Sequence, residues 1–237
     1  MTGKSDVKLL VDGKRLDGRA PLELRPIEMK VDVVSRADGS AMVKFGNTIA
    51  IATAYGPRPL YPKHLQENRS GILRCRYNMA PFSTTDRKSP GPDRRSIELS
   101  KVIRLALEPA IFLEEFPKAT IDVFVEIVQA DGSTRVTAIN AASLALATAG
   151  VPMRDLVTAC SVGKINNTLI LDLTGIEDNN SECDMAFAMM PGKEKVTLLQ
   201  MDGLLTEEEI KNLIKIAKDA CLKIYEMQKK AIKEKFK

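Results

Sequence analysis

One stretch narrows what this chain can fold into more than any other. Residues 120–129 read TIDVFVEIVQ, an apolar, β-branched segment that predicts a strand. Residues 135–149 read RVTAINAASLALATA, an alanine-rich run stopped by Gly150 and Pro152, which predicts a helix. Between them lies only ADGST. A strand that runs through a glycine turn straight into a helix commits the chain to a fold containing both.

The flanking segments decide how the two are combined. Upstream, strands are predicted at Val31–Val34, Ala41–Phe45, Thr48–Tyr55 (TIAIATAY) and Ile72–Met79 (ILRCRYNM), with turns at Asp38-Gly39 and Gly46-Asn47. Residues 1–30 contain Gly13, Gly18, Pro21 and Pro26 and read as an extended arm. Pro57, Pro59 and Pro62 begin a stiff basic loop that ends at Arg69, and Pro81–Pro92 forms a second loop. A helix starts near Asp93, with Ile97, Val102, Ile103 and Leu107 as its apolar stripe, and Pro109 breaks it. Downstream come strand candidates at 156–165, 167–173, 184–190 and 194–201. A long amphipathic helix follows over 206–237, opened by a Thr206/Glu209 capping box and facing inward through Ile210, Leu213, Ala217, Cys221, Ile224 and Ala231. The alternation is not regular βαβ, so a doubly wound parallel sheet is disfavoured. One α+β domain over residues 1–237, with mixed sheets and packed helices, fits better than two linked domains because no flexible linker interrupts the chain.

Composition excludes several functions. With a single histidine, His64, a histidine-rich metal site is ruled out. Cys75, Cys160, Cys183 and Cys221 are scattered without a CxxC, which suits buried thiols in a reducing compartment. No run of about 18 apolar residues offers a membrane span, and the polar N-terminus lacks the apolar core of a signal peptide. A soluble, cytoplasmic protein is expected. Charge is uneven: between Tyr55 and Arg104 eleven Lys/Arg face four Asp/Glu, a local +7 in a chain of net +4. That asymmetry suggests a face for polyanions.

Four constellations could carry chemistry. The turn Asp131-Gly132-Ser133-Thr134-Arg135 opens a helix, where unpaired amides and the helix dipole attract an anion; the alternative is a plain helix cap by Ser133 or Thr134. Arg94 and Arg95 occupy the first turn of another helix, against its dipole, as though an anion compensated them; the alternative is a surface salt bridge to Asp93 or Glu98. Residues 176–185 (IEDNNSECDM) place Asp178 and Asp184 at the ends of one short connection, where a hairpin would bring them together as a proton donor or cation site. Glu177 and Glu182 in the same segment are expected to matter much less. The basic loop, Arg58, Lys63, His64 and Arg69, continues into Arg74 and Arg76 and suits phosphate tracking.

Together these segments resemble the RNase PH family. RLDGRAPLELRPIEM is similar to its N-terminal arm. RYNMAPFS, PGPDRRSIELSKVIRLALE, FVEIVQADGSTRVTAINAASLAL, EDNNSECDM and LLQMDG are similar to the catalytic RNase PH-type subunits of archaeal exosomes. The resemblance implies an α+β fold built from two similar halves and a phosphate-dependent 3′→5′ exoribonuclease that releases nucleoside diphosphates. By the same resemblance Ser133, Thr134, Arg135 and Arg95 bind the attacking inorganic phosphate. Arg58, His64, Arg69, Arg94 and Arg95 contact RNA, and Asp178 and Asp184 form the catalytic pair, with Mg²⁺ as its cation where one is used. Which aspartate donates a proton and which holds metal stays open. The implied partners are RNA, a non-catalytic RNase PH-like paralogue in a hexameric ring of three heterodimers, and RNA-binding cap subunits. The competing readings are a non-catalytic scaffold subunit of such a ring and a stand-alone enzyme trimming tRNA 3′ ends.

Overall fold

The computed structural model describes residues 9–11 and 13–235. The first eight residues of the predicted arm, Asp12, and the last two residues of the predicted C-terminal helix lie outside the described residues. Two sheets share one helix. In chain order the first has β3 (Ile27–Val31), β4 (Gly39–Phe45), β5 (Thr48–Pro59), β6 (Ile72–Met79) and β7 (Ala119–Gln129), preceded by a small hairpin of β1 (Leu10–Val11) and β2 (Lys14–Arg15). Its spatial order is β3-β4-β5-β7-β6. All its pairs are antiparallel except β6 with β7, whose parallel register is bridged by α1 (Arg94–Leu107). The second sheet, in the order β11-β10-β8-β9, comprises β8 (Thr158–Ile165), β9 (Thr168–Leu171), β10 (Cys183–Met190) and β11 (Lys195–Gly203) and is antiparallel throughout. The helix α2 (Thr134–Thr148) lies between the sheets, α3 (Gly175–Asn180) joins β9 to β10, and α4 (Glu207–Lys235) closes the fold.

The α2 sequence suits that position. Of its fifteen residues only Arg135 and Ala147 escape burial, because both sheets press on it. A helix apolar on all sides belongs in a core, and Ala138, Ala141, Ala142 and Ala145 keep it thin. Its few polar groups tie neighbours together. Asn140 Nδ2 donates to the Ala159 carbonyl at 2.7 Å, and its Oδ1 accepts from the Ala159 amide at 3.1 Å and from Gln228 Nε2 at 3.0 Å, so α2, β8 and α4 share one polar knot. Ser143 Oγ accepts the Val157 amide at 2.9 Å. One continuous apolar cluster runs through both sheets.

Four elements differ from the sequence reading. β5 runs on to Pro59, so Arg58 and Pro59, expected in the basic loop, pair in the sheet with Thr120 and Ala119. The first strand of the large sheet is Ile27–Val31 rather than Val31–Val34. Met29 and Val31 pair with Val43 and Ala41, and Asp32 at φ 57° ends the strand before the more apolar VDVV run is complete. On α1 the buried face is Leu99, Ile103, Ala106 and Leu107, whereas Ile97 is 65% exposed beside the equally outward Leu105. A capping box between Asp93 and Ser96 starts that helix: the Ser96 amide donates to Asp93 Oδ1 at 2.6 Å and the Asp93 amide to Ser96 Oγ at 2.9 Å. Finally, Asp178 and Asp184 are not joined by a hairpin. β9 and β10 both pair with β8, so the connection crosses over β8 and forms α3 on the way. Among the described residues no helix is long and apolar enough to cross a membrane.

The arm anchors α3. Arg15, 3% exposed, hydrogen-bonds both carboxylate oxygens of Glu177, with Nε at 2.7 Å from Oε1, and donates to the carbonyls of Leu171 at 2.6 Å and Asp172 at 2.7 Å. Burial opposes Glu177 ionisation, yet hydrogen bonds from Arg15 and the Thr174 amide hold its carboxyl below the usual glutamate range. Glu177, expected above to matter little, is therefore a structural anchor next to Asp178. Removing one partner of a buried pair strands the other charge, which costs about 3–5 kcal/mol. Arg15→Met is expected to lower Tm by about 6–20 °C, taking about 2–4 °C per kcal/mol for a domain of this size. A thermal melt checks this. The depressed Glu177 pKa places that stability above the unfolded carboxylate range, so it is lost on acidification, and the wild-type advantage over Arg15→Met should shrink as pH falls.

Candidate anion and carboxylate site

The N-terminus of α2 emerges where the two sheets meet. Ser133 sits there at φ 56°, ψ 24°, and no side chain caps the helix. Its first-turn amides therefore lack the usual side-chain acceptor. The Ser133 hydroxyl is used elsewhere: Oγ donates to the Leu173 carbonyl at 2.8 Å and lies 2.6 Å from Ser161 Oγ. Its contribution to an anion is thus through the backbone. Gly132, at φ 71°, lets the turn pass under α3; a Cβ there would stand 2.6 Å from the Thr174 carbonyl carbon. Arg135 is the polar side chain that α2 turns outward, and its Nε is buried with no hydrogen-bond partner. An orphaned guanidinium N–H is costly unless something accepts from it, and phosphate oxygens suit it geometrically.

Asp178 and Asp184 converge on this point from α3 and β10. Both titrate above the usual aspartate range. Burial is the largest cause at Asp178, opposed by the charges of Arg95, Arg135 and Arg25 and by a hydrogen bond from Asp184. Asp178 still presents an exposed surface, so its desolvation comes from the protein around it and leaves it open to a substrate. At Asp184 burial is again largest, followed by the negative charge of Asp178, with Arg135 opposing and Asp202 adding. Four of the expected residues, Arg95, Arg135, Asp178 and Asp184, are thereby gathered into one electrostatic cluster. Thr134 is buried beneath it, beside Tyr77.

Other expected residues lie apart. Arg94 and Arg95 are exposed in the first turn of α1; neither forms an ion pair with Asp93 or Glu98, and only Arg95 reaches the carboxylates. His64 and Arg69 are exposed in and after a short 3₁₀ turn (Lys63–Leu65) at the opposite end of β6 from Tyr77. Five residues of strand, from Ile72 to Tyr77, at about 3.3 Å each put that end roughly 17 Å away. Arg58 is held there: its Nη2 lies 2.6 Å and Arg74 Nε 2.5 Å from the buried Asp122 carboxylate. One carboxylate between two half-exposed guanidinium groups leaves a net positive spot.

One residue of the site, Asp202, was missed in the sequence. Asp202 stands directly across from Asp184 in the β10–β11 register. Only the pairing of strands eighteen residues apart reveals it. Tyr77 is 2% exposed with its hydroxyl near Thr134, Arg95 and Arg135, and burial raises its pKa.

Among the described residues no three His, Cys, Asp or Glu side chains cluster as a metal centre. Two carboxylates nevertheless fit Mg²⁺, which commonly binds one or two carboxylates together with substrate phosphates. Because both aspartates bind protons more readily folded than unfolded, their ionisation costs stability once pH rises through the folded pKa values. With chelator present, Asp184→Asn is expected to raise Tm modestly at neutral pH. The gain should fade as the pH is lowered toward the ordinary aspartate range, which melts across pH 3–8 would show.

The chain is similar to known proteins over nearly its whole length. The profile of the 3′ exoribonuclease family, domain 1, matches residues 23–152, and that of the same family's domain 2 matches residues 155–220. The Pyrococcus furiosus protein named exosome complex component Rrp41 is 58% identical over 225 residues, covering 95% of this chain and 90% of its own. The protein of the same name from Nitrosopumilus maritimus is 49% identical over 238 residues, covering 100% and 98%. The crystal structure of rice (Oryza sativa) Rrp46 superposes with a TM-score of 0.81 at 25% identity, covering 91% of this chain and 98% of that one.

Proposed function

From the premise that this chain belongs to the RNase PH family of 3′ exoribonucleases, we propose that it degrades RNA by phosphorolysis as the catalytic subunit of an exosome ring. The observation that carries the reading is the pairing of an unsatisfied Arg135 guanidinium at an uncapped helix start with two proton-retaining aspartates. Inorganic phosphate seated on Arg135, Arg95 and the amides of the 133–135 turn presents an oxygen to the terminal 3′ phosphodiester. A new P–O bond forms, the bond from phosphorus to the upstream 3′ oxygen breaks, and a nucleoside diphosphate departs. The leaving 3′ oxygen requires a proton, and a carboxyl with a raised pKa is suited to deliver one. No protein nucleophile is required, since positioning and positive charge dominate phosphoryl transfer. Mg²⁺, when bound, would be held by Asp178 and Asp184 and would neutralise charge at that oxygen.

RNA is proposed to be gripped separately from where it is cut. Arg58 and Arg74 on Asp122, with His64 and Arg69 in the loop before β6, form a basic patch that begins about 10 Å along β6 from Tyr77. A strand engaging both would span several nucleotides through backbone contacts, which carry no base identity. We propose a same-fold partner in a ring of three heterodimers carrying RNA-binding caps; that the relatives are named components of a complex supports a partner, as do exposed apolar side chains. Exposed apolar side chains stand on α1, at Ile97 and Leu105, and on the edge strand β11, at Val196, Leu199 and Met201. Apolar groups on an unpaired sheet edge commonly mark an interface.

Incubating the chain and its partner with 3′-labelled RNA and phosphate should yield nucleoside diphosphates. Asp178→Asn and Asp184→Asn are each expected to slow release by about 10²–10⁴ while leaving RNA affinity unchanged or slightly higher. Arg135→Ala should abolish phosphate dependence yet keep RNA binding. Normal turnover in both Asn variants would return the chain to the scaffold reading. RNA binding should also fall steeply between about 50 and 200 mM salt, with little preference among homopolymers.

A further inference from the structure

Arg25 bonds to neither Asp178 nor Asp184, and beyond the effect of its charge on Asp178 it touches both segments that build the site. Its Nε lies 2.9 Å from Asp172 Oδ2 and its Nη2 lies 2.7 Å from Asp172 Oδ1, and its backbone amide donates to Oδ2 at 2.8 Å. The remaining nitrogen, Nη1, donates to the Asp131 carbonyl at 2.6 Å. Asp131 in turn accepts the amide of Gly175, the first residue of α3, on Oδ1 at 3.1 Å. Arg25 is 5% exposed and Asp172 is 1% exposed, so the link is shielded from water.

Arg25 differs here from the other arginines of the arm. Arg15 and Arg19 reach the 171–177 segment, through Leu171, Asp172 and Glu177, and neither touches the anion-binding turn. Arg25 alone among the three spans from Asp131, four residues before Arg135, to Asp172, six residues before Asp178. A second feature guards the same arrangement. Gly46, at φ 54°, lies against the Arg25 stem, and a Cβ there would stand 2.6 Å from Arg25 Cδ.

We propose that Arg25 is a positioning residue that holds the anion-binding turn 131–135 and the aspartate-bearing helix α3 in register. The claim rests on the phosphorolytic reading for its kinetic consequence and on the geometry alone for its structural one. An in-line displacement needs the attacking phosphate and the proton donor placed together, and a drift of about 1 Å can cost about 10² in rate. Arg25 reaches neither the phosphate nor the aspartates by hydrogen bond. It acts by joining the two segments that carry them.

The test compares wild type with Arg25→Lys and Gly46→Ala in the full chain, assembled with its same-fold partner. Lysine keeps the charge but cannot bridge Asp172 and Asp131 at once, and Gly46→Ala displaces the Arg25 stem while leaving its chemistry intact. Both variants are expected to lose about 10- to 100-fold in kcat with the KM for RNA unchanged within about twofold. Hydrogen exchange should show residues 131–135 and 172–178 losing protection together while β8 and β10 keep theirs. The proposal is overturned if kcat is unchanged, if kcat and RNA binding fall in proportion to lost folded protein, or if exchange rises in only one segment. Should wild type release no nucleoside diphosphate, the phosphorolytic reading fails, and the exchange result still decides the positioning claim.

Discussion

Everything in this fold depends on α2 fitting between two sheets. A helix with side chains is about 10–12 Å across, and alanines at 138, 141, 142 and 145 keep this one near the lower bound on the faces it presents. The approach is close enough that a Cβ on Gly39, at the start of β4, would stand 2.2 Å from the Ala149 backbone nitrogen. Sandwiching α2 forces its N-terminus to the seam between the sheets. Residues from β6 and α1 on one side and from α3 and β10 on the other reach that seam. The anion end of the helix dipole thus meets both carboxylates as a consequence of packing.

The seam is assembled at an electrostatic cost that the surroundings offset. Two aspartates whose burial raises their proton affinity, with the charge of Asp178 raising that of Asp184 further, cannot stabilise the fold in their ionised forms. Stability is supplied next to them by ion pairs of the opposite character: Arg15 with Glu177, and Arg25 with Asp172, all four side chains nearly closed to water. Each guanidinium nitrogen in these pairs has an acceptor, which is the condition for burying charge without a large penalty. The strained chemistry occupies Asp178, one residue beyond Glu177, so the anchor and the reactive group share a single turn of helix.

Legibility in the sequence followed the range of the interactions. Local periodicity located β6, β7, α2, β8 and α4 to within about two residues, because one continuous apolar face governs each. It misplaced β3, where Asp32 stops the strand inside an apolar run, and it put Ile97 in the core because the phase of α1 is set by contacts with β6 and α2. The acidic pair was legible as a pair, but its hairpin was not real. Strand order decides that connection, and strand order is a long-range property. Asp202, brought opposite Asp184 by register, and Arg25, brought to Asp131 across 106 residues, carried no local signal at all. The resemblance of RLDGRAPLELR to a family arm marked Arg25 as part of a motif without saying what it holds.

The distance between grip and chemistry follows from the same topology. Parallel β6 and β7 need a crossover, and α1 provides it by running back along the sheet, so the loop before β6 and the N-terminus of α1 are at opposite ends of the large sheet. Charge could not be concentrated at one place without changing that connection. Asp122 resolves the problem locally at the far end: a single buried carboxylate fixes Arg58 and Arg74 while leaving one positive charge uncompensated. The near end does the reverse, with Arg95 and Arg135 facing two carboxylates that resist ionisation. An anionic strand is attracted at both ends, but only the near end holds protons to give away. On the phosphorolytic reading proposed above, chemistry is thereby confined to the last nucleotide that reaches the seam, which is the order of events that trimming from a 3′ end requires.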